Sequence, residues 1–508
     1  MQYPPHSPRE RGEVRRRTQS FPPLAGGERG VACKSWFSSW QMKKQLLLIN
    51  PWIDDFAAFD LWLKPLGLLY LAGHLRQRGY AVHLLDCLDR HNPALLQLQG
   101  LSAPRGRAYG VGKFFRQRLP IPAVLREIPR VYYRHGISEA IFVQMLKAAP
   151  QPAAILVTSM MTYWYPGVFR AIELAKQHFP GTPVMLGGVY ATLCPHHAKT
   201  HSQADYILAE HDPAKIIRLI DEITGGIPSW EGLGVGNSPL EGGQGGVNLF
   251  TVYPAFDLYE LLDYACLLTS VGCPYRCTYC AAQLLKPHFV QRRPDAVFQE
   301  LLHDYKNLGI RHFAFYDDAL LVHAADHLEP FLQQVIAAGL DCTFHTPNGL
   351  HARYLTEQVA ELMFQSGFKT IRLSLETIDP VRQQQTGGKI TGAECQQAVA
   401  NLKRAGFQGK QIGVYLFVGL PGQTLAETEA TIRYAHALGV TVHLCEYSPI
   451  PGTKDWETLV TQGFVSAADD PLLHNNSVFI FSKAGYTFAQ IQRLKDLIHE
   501  FNNIVKAE

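Results

Sequence analysis

No stretch of this sequence reaches the roughly 20 consecutive apolar residues that a membrane-spanning helix needs, and the N-terminus lacks the apolar core of a secretory signal. Both absences lead us to expect a cytoplasmic protein, where thiols stay reduced and clustered cysteines serve as metal ligands or catalytic groups more often than as disulfides. Charge is scarce too. A formal net charge of +3, with 18% charged residues, does not by itself argue for a nucleic-acid partner. There are ten cysteines in 508 residues, and only one C-x-x-C pair, so the two spaced pairs of an ordinary structural zinc site are missing.

What is present is ample core-forming material. Hydrophobic residues make up 47% of the chain, and its length predicts two or three domains. Residues 1–41 are the exception: "PPHSPRERGEVRRRTQSFPPLAGGERG" is rich in Pro, Gly and Arg without apolar periodicity. We expect this segment to be disordered and Met42 to be a candidate start; Glu10, Glu13 and Glu28 weaken its reading as a basic targeting arm.

From Leu46 short apolar runs alternate with amphipathic stretches. "QLLLINP", "YAVHLLD", "AAILVTSM", "PVMLGG" and "ADYILAE" read as strands, and "LGLLYLAGHLRQRG" and "YPGVFRAIELAKQHFPG" as helices. This alternation predicts an α/β, doubly wound, Rossmann-like domain over residues 42–225, with a ligand crevice at the carboxyl ends of its strands. Ser159 follows one strand, and Gly187 and Gly188 follow the next. A hydroxyl beside a backbone bare of Cβ atoms would admit the tail of a large ligand, although a tight turn accounts for Gly-Gly equally well.

A basic, aromatic insertion spans residues 100–136. Arg105, Arg107, Lys113, Arg116, Arg118, Arg126, Arg130 and Arg134 meet only Glu127 as an acid within it. It reads as a grip for an anionic substrate or cofactor phosphate, as a solvated cap on the sheet edge or, more weakly, as a nucleic-acid contact. A Gly-rich linker at 226–252 marks the domain boundary.

Beyond it, βα alternation over residues 253–460 predicts six units of a partial TIM-type (β/α)6 barrel with its chemistry at the C-terminal strand ends. Residues 461–508 form a helical extension in which Phe488, Ile491, Leu494, Ile498 and Phe501 share one face, expected to pack on the barrel. At the mouth of the first unit stands "VGCPYRCTYC", with Cys273, Cys277 and Cys280 in C-x3-C-x2-C spacing. Three thiolates on an iron-sulfur cube leave one iron open, and an open iron can hold a substrate.

That spacing resembles the radical S-adenosylmethionine (SAM) superfamily, whose loop binds a 4Fe-4S cluster. The resemblance implies that the open iron takes the amino and carboxylate groups of SAM and that an electron splits it into methionine and a 5'-deoxyadenosyl radical. Val271 departs from the Arg that many relatives carry. By the same resemblance Tyr279 lies near adenine, Asp317 and Asp318 near the methionine ammonium, and Ser374 and Glu376 in "LSLET" near the ribose. Asp318 would serve equally as a helix N-cap. "GLPGQT", with Gly419 and Pro421, resembles the fifth-strand element that approaches adenine, and "PIPGT" at 449–453 the sixth.

Ser159 with Gly187 and Gly188 resembles the Ser-x-Leu and Gly-Gly elements of cobalamin (B12)-binding domains. The Asp-x-His-x-x-Gly element of that family, which supplies an axial histidine, has no counterpart in "NPWIDDFAAFD". Asp89 and His91 follow the wrong strand, so cobalamin, if bound, is expected without that ligand. The combined resemblance implies methylation or rearrangement of an unactivated position of a small molecule or peptide, a flavodoxin- or ferredoxin-type reductant, and neither membrane nor nucleic acid as a partner.

Two other functions stay open: a tRNA methylthiotransferase-like enzyme, against which Cys33, Cys87 and Cys194 are dispersed, and a non-catalytic iron-sulfur or cobalamin-binding sensor. His345, His351 and Cys445 are further candidates for acting on substrate. The remaining single cysteines read as small buried hydrophobes.

Overall fold

The strand Gln45–Asn50 has five of its six residues buried, because helices cover both faces of the sheet around it. Side-chain alternation divides it between two cores: Leu47 and Ile49 pack with Ile155, Val157 and Leu186 on one face, while Leu46 and Leu48 pack with Leu156 and Met185 on the other. The sheet is wholly parallel and runs Tyr206–Leu208, Val184–Gly187, Ala154–Val157, Gln45–Asn50, Ala81–Asp86. The strand order reverses between Gln45–Asn50 and Ala154–Val157. A crevice at this switch point is where a doubly wound sheet takes its ligand.

The computed structural model describes residues 43–210, 212–226 and 249–507. The extension expected to be disordered, Met42 and most of the expected linker lie outside the described residues. Lys43–Glu508 forms one compact unit. Among the described residues no helix is long and apolar enough to cross a membrane.

The second sheet is also parallel, with six strands in chain order: Ala265–Leu267, His312–Phe315, Thr343–His345, Phe368–Glu376, Ile412–Val418 and Thr441–Glu446. Its outer strands do not pair, so the barrel is partial. The free edge at Thr441–Glu446 is covered by the last helix, Phe488–Ala507, where the Asn502 amide brackets Val442: its Oδ1 accepts from Val442 N–H at 2.7 Å and its Nδ2 donates to Val442 C=O at 2.9 Å. Ile491, Leu494, Ile498 and Val505 of this helix are buried. Phe488, expected on that face, is instead exposed, since it is the first residue of the helix and precedes its contact with the barrel. Phe501 is half-buried and stacks on His436.

The insertion builds a three-stranded antiparallel sheet of Ile53–Asp55, Tyr133–His135 and Arg116–Arg118. This corrects one part of the basic-cluster reading. Arg134 is buried and donates to both carboxylate oxygens of Asp54, at 2.9 and 2.7 Å, as well as to Glu139, so it anchors the insertion and faces no ligand.

Buried polar groups join the two halves. Tyr259 donates to Asp86 at 2.5 Å and Tyr264 to Asp60 at 2.5 Å, and Arg292 bonds Glu300 at 2.8 Å beside Tyr70. The segment around 470–481 straps the far side: Asn475 donates to Asp55 at 2.9 Å, Arg130 to Ser477 at 2.6 Å and Tyr165 to Asp470 at 2.9 Å.

Asp304, fully buried near Glu300, has one carboxylate oxygen without a partner. Burial first, then Glu300 and Asp257, push its pKa from 3.8 to about 8. Between those values the folded chain keeps a proton that the unfolded chain has released, so this group's effect is to lower stability as pH rises from 3.8 to about 8. Asp304→Asn should flatten that decline and raise Tm at pH 8 by about a few degrees, with little change at pH 4, in scanning calorimetry across pH.

Candidate active site

The three-cysteine loop hangs from a short hairpin, in which Ser270–Val271 pairs antiparallel with Val290–Gln291. Gly272 enters it with φ +78°, and a Cβ there would lie 2.5 Å from the His288 carbonyl oxygen, so only glycine fits. Cys280 N–H donates to Cys277 C=O at 3.1 Å, Thr278 N–H to Thr386 C=O at 3.2 Å, and Gln283 Nε2 to Cys273 C=O. Thr278 C=O accepts from Asp455 N–H at 3.0 Å, which ties the loop to the helix following "PIPGT".

Burial raises the Cys273 thiol and lifts that of Cys277 to about 11; the Lys389 charge acts to lower both and also reaches Cys280. Lys389 is largely buried and bonds Glu376 at 2.6 Å. Glu376 has φ +69°, rare for a residue with a side chain, next to a register shift after Ser374. Lys389 was not among the residues that sequence singled out. Its only signal was the pair of glycines before it: Gly387 lets the loop lie so close that a Cβ would come 3.2 Å from Cys277 Cα.

Each expected site residue has a definite place. Asp317 is buried and accepts from Thr269 N–H at 3.0 Å, Thr269 Oγ1 at 2.7 Å and Ser270 Oγ at 2.6 Å, so it braces the strand leading into the loop. Asp318 makes no such bonds. Solvent reaches it, yet it lies in the concave mouth beside the thiols, where thin hydration first and Asp317 second push its pKa to about 6. Tyr279 sets its ring against Phe417, 5.0 Å between centroids.

Ser374 is buried one strand position below the bulge, where a Cβ on Gly349 would come 2.0 Å from its hydroxyl. Gly419, at φ +88°, leaves room for Ile480 of the strap, and Pro421 C=O accepts from Arg382 Nη1 at 2.8 Å.

Among the described residues no three His, Cys, Asp or Glu side chains converge as ligands of a single ion. Cys273, Cys277 and Cys280 are all free thiols on one loop, Cys273 buried, Cys277 half-buried and Cys280 exposed, a donor set of the kind that binds an iron-sulfur cluster. Three of the eight buried polar atoms that lack partners among the described residues lie here, Tyr279 Oη, His351 Nδ1 and Arg353 Nε, with His351 and Arg353 both beside the Tyr275 ring. Unsatisfied buried donors around three thiols fit a ligand-holding site.

Of the other candidates, His345 is fully buried, bonded to Thr343 and Thr370 and stacked on Trp62 at 4.3 Å, which makes it a packing residue of the barrel interior. Arg372, missed in the sequence, lies two residues before Ser374 on the same strand face and, among the described residues, has no carboxylate in ion-pair range.

At the other crevice Ser159 Oγ donates to Gly187 C=O at 2.7 Å, and Val189 N–H to Ser159 C=O at 2.7 Å. Gly188 has φ +91°, and a Cβ on it would sit 2.3 Å from the Ser159 carbonyl oxygen. Serine and glycines thus form one unit beside the switch point. His91 is engaged elsewhere, at 2.8 Å from Asp263. The helix Val189–Leu193 that begins at Gly188 packs against the helix Ala282–Leu285 that leaves the cysteine loop.

The fold thus pairs a parallel partial barrel, with three cysteines at its first loop, with a doubly wound sheet whose Ser159 and Gly188 lie beside the switch point. Residues 267–435 match the family model described as Radical SAM superfamily. It is 21% identical to cytidylyl-2-hydroxyethylphosphonate methyltransferase of Streptomyces wedmorensis, over 83% of each chain. It is 26% identical to an uncharacterised methyltransferase of Pyrococcus horikoshii, over 42% of this chain and 47% of that protein, so the chain spans about half of that relative's length. Its fold is that of the radical SAM methyltransferase TsrM from Kitasatospora setae, solved with cobalamin and a [4Fe-4S] cluster (TM-score 0.58, 15% identity, 83% of this chain and 78% of that one).

Replacing any one of Cys273, Cys277 and Cys280 by Ala should abolish the reconstituted cluster, read as iron and sulfide per chain. Lys389→Met should lower the cluster's reduction potential by on the order of tens of millivolts, because a nearby cation favours the more negative, reduced form. Lys389→Met combined with Glu376→Gln restores local neutrality and should return the potential toward wild type in an EPR-monitored titration.

Proposed function

We propose that this protein is a cobalamin-dependent radical SAM methyltransferase acting on an unactivated carbon or phosphorus atom of a small molecule. The observation that carries this reading is the junction of the two crevices, where the helix from Gly188 packs on the helix leaving the cysteine loop. A group in the switch-point crevice then lies against the mouth where radical chemistry begins. The methyltransferases of similar sequence and fold support the same assignment.

When bound, the cluster would supply the electron that splits SAM into methionine and a 5'-deoxyadenosyl radical, and cobalamin would supply the methyl group. Cys273, Cys277 and Cys280 would hold three irons; Asp318 would meet the SAM ammonium, and Ser374 and Glu376 would bind the ribose. Lys389 holds the Glu376 carboxylate in its strained backbone conformation. Tyr279 and Phe417 offer an aromatic wall for adenine. Gly188, which has no Cβ, lets its backbone lie against Ser159, and together they would shape the floor of the second crevice. The strap, through Phe479 packed on Tyr447 and Ile480 over Gly419, excludes water from the mouth. A one-electron reductant of flavodoxin or ferredoxin type would complete the cycle.

The decisive experiment reconstitutes the protein anaerobically with iron, sulfide and hydroxocobalamin. It measures cobalt per chain and 5'-deoxyadenosine formed under dithionite. Stoichiometric cobalt and SAM-dependent 5'-deoxyadenosine are expected. Gly188→Ala should lose most of the cobalt and keep 5'-deoxyadenosine formation. Deoxyadenosine without retained cobalt in the wild type would overturn the cobalamin assignment and leave the first domain as a scaffold or substrate-binding module; failure to cleave SAM at all would point to an iron-sulfur sensor.

A further inference from the structure

The insertion encloses a recess of about 440 Å³ that the reaction above does not use. Its lining includes Arg90, Arg105, Arg107, Lys113 and Arg116, together with Phe59, Phe114 and Phe115, and contains no carboxylate. Arg90 forms a buried part of the wall: it bonds Asp60 at 3.1 Å and donates to the carbonyls of Gly110 and Arg105 at 2.7 and 3.2 Å. Asp60 neutralises Arg90, whose Nε keeps no hydrogen-bond partner.

The other four cations are exposed, and among the described residues none has a carboxylate within ion-pair distance. Their positive charge is therefore uncompensated. Holding four like charges around one recess costs free energy that an anion would offset.

The wall is closely packed around Arg90. Gly106 and Gly112 face each other in an isolated bridge, and a Cβ on Gly112 would lie 2.3 Å from Arg90 Nη2. Arg107 lies over the Phe59 ring at 5.5 Å, which presents a guanidinium and an aromatic face side by side. The volume falls in the range of small-ligand sites. A polymer would call for a longer basic groove with successive stacking platforms.

We propose that this recess binds an organic phosphate of nucleotide size with two or more negative charges, its phosphates on Arg105, Arg107, Lys113 and Arg116 and its organic part on the phenylalanine rings. The site does not depend on cobalamin or on SAM cleavage. The loop that forms it also bears Tyr109, whose ring meets His345 inside the barrel at 4.7 Å, so the recess wall and the barrel interior share one loop.

The test is calorimetric titration of the full-length reconstituted protein with CDP, ADP, inorganic pyrophosphate and a short single-stranded RNA at low and moderate salt. It includes the charge reversals Arg107→Glu and Arg116→Glu, with 5'-deoxyadenosine formation as a control for folding. Saturable nucleotide binding, weakened by salt and at least about tenfold by each reversal, with SAM cleavage unchanged, is the expected result. Pyrophosphate binding as tightly as CDP would overturn the organic part of the proposal. RNA binding without nucleotide binding, nucleotide affinity unaffected by the reversals, or no binding up to about 1 mM, would overturn the site itself.

Discussion

The active end of this molecule depends on one buried carboxylate. Asp317 gathers the Thr269 amide, the Thr269 hydroxyl and the Ser270 hydroxyl, and Thr269 in turn contacts His327 at 2.6 Å and accepts Arg292 N–H at 2.9 Å. Burial raises the Asp317 carboxyl above its ordinary value, and the three donors oppose that shift. The gain is positional: the strand Ala265–Leu267 leaves the barrel at a set angle, and the hairpin bearing the cysteines begins from a defined point. Without that exit the Gly272 turn and its contact with the His288 carbonyl have nothing to stand on.

A second constraint comes from topology. Both sheets are parallel, so each places its loops at the carboxyl ends of its strands, and chemistry shared between them requires that those ends meet. Three sets of contacts bring this about: Tyr259 and Tyr264 on acids of the first domain, the helix pair beside the cysteine loop, and the strap that reaches Asp55 through Asn475. The strap leans on Gly419 through Ile480, so the glycine of "GLPGQT" serves closure of the mouth as well as its own turn.

Strands were legible where both faces are buried, because short continuous apolar runs such as "LLLIN", too short for a helix and set between turn-like segments, suit a strand covered on both sides; the cysteine loop was legible because its three cysteines lie within eight residues. Lys389 was not, since its importance comes only from folding a Gly-Gly loop against Cys277. Arg134 misled as part of a basic cluster because its partners Asp54 and Glu139 flank the insertion and stand outside it. Phe488 fitted the helical period, but periodicity does not tell where along a helix the contact begins.

Strain is concentrated where these elements converge. Glu376 adopts a left-handed backbone at a bulge, Gly349 leaves the room that the Ser374 hydroxyl fills, and Lys389 is largely buried between Glu376 and the thiols. A non-glycine residue in that conformation costs about 1 kcal/mol or more and persists only when its surroundings over-determine it. Here the surroundings do: an ion pair at 2.6 Å holds the carboxylate, and the register shift turns the strand end toward the mouth. On a regular strand Ser374 and Glu376, two positions apart, would share one face. The register shift between them interrupts that alternation, so the place of the Glu376 carboxylate is set by its own left-handed backbone and by the ion pair to Lys389.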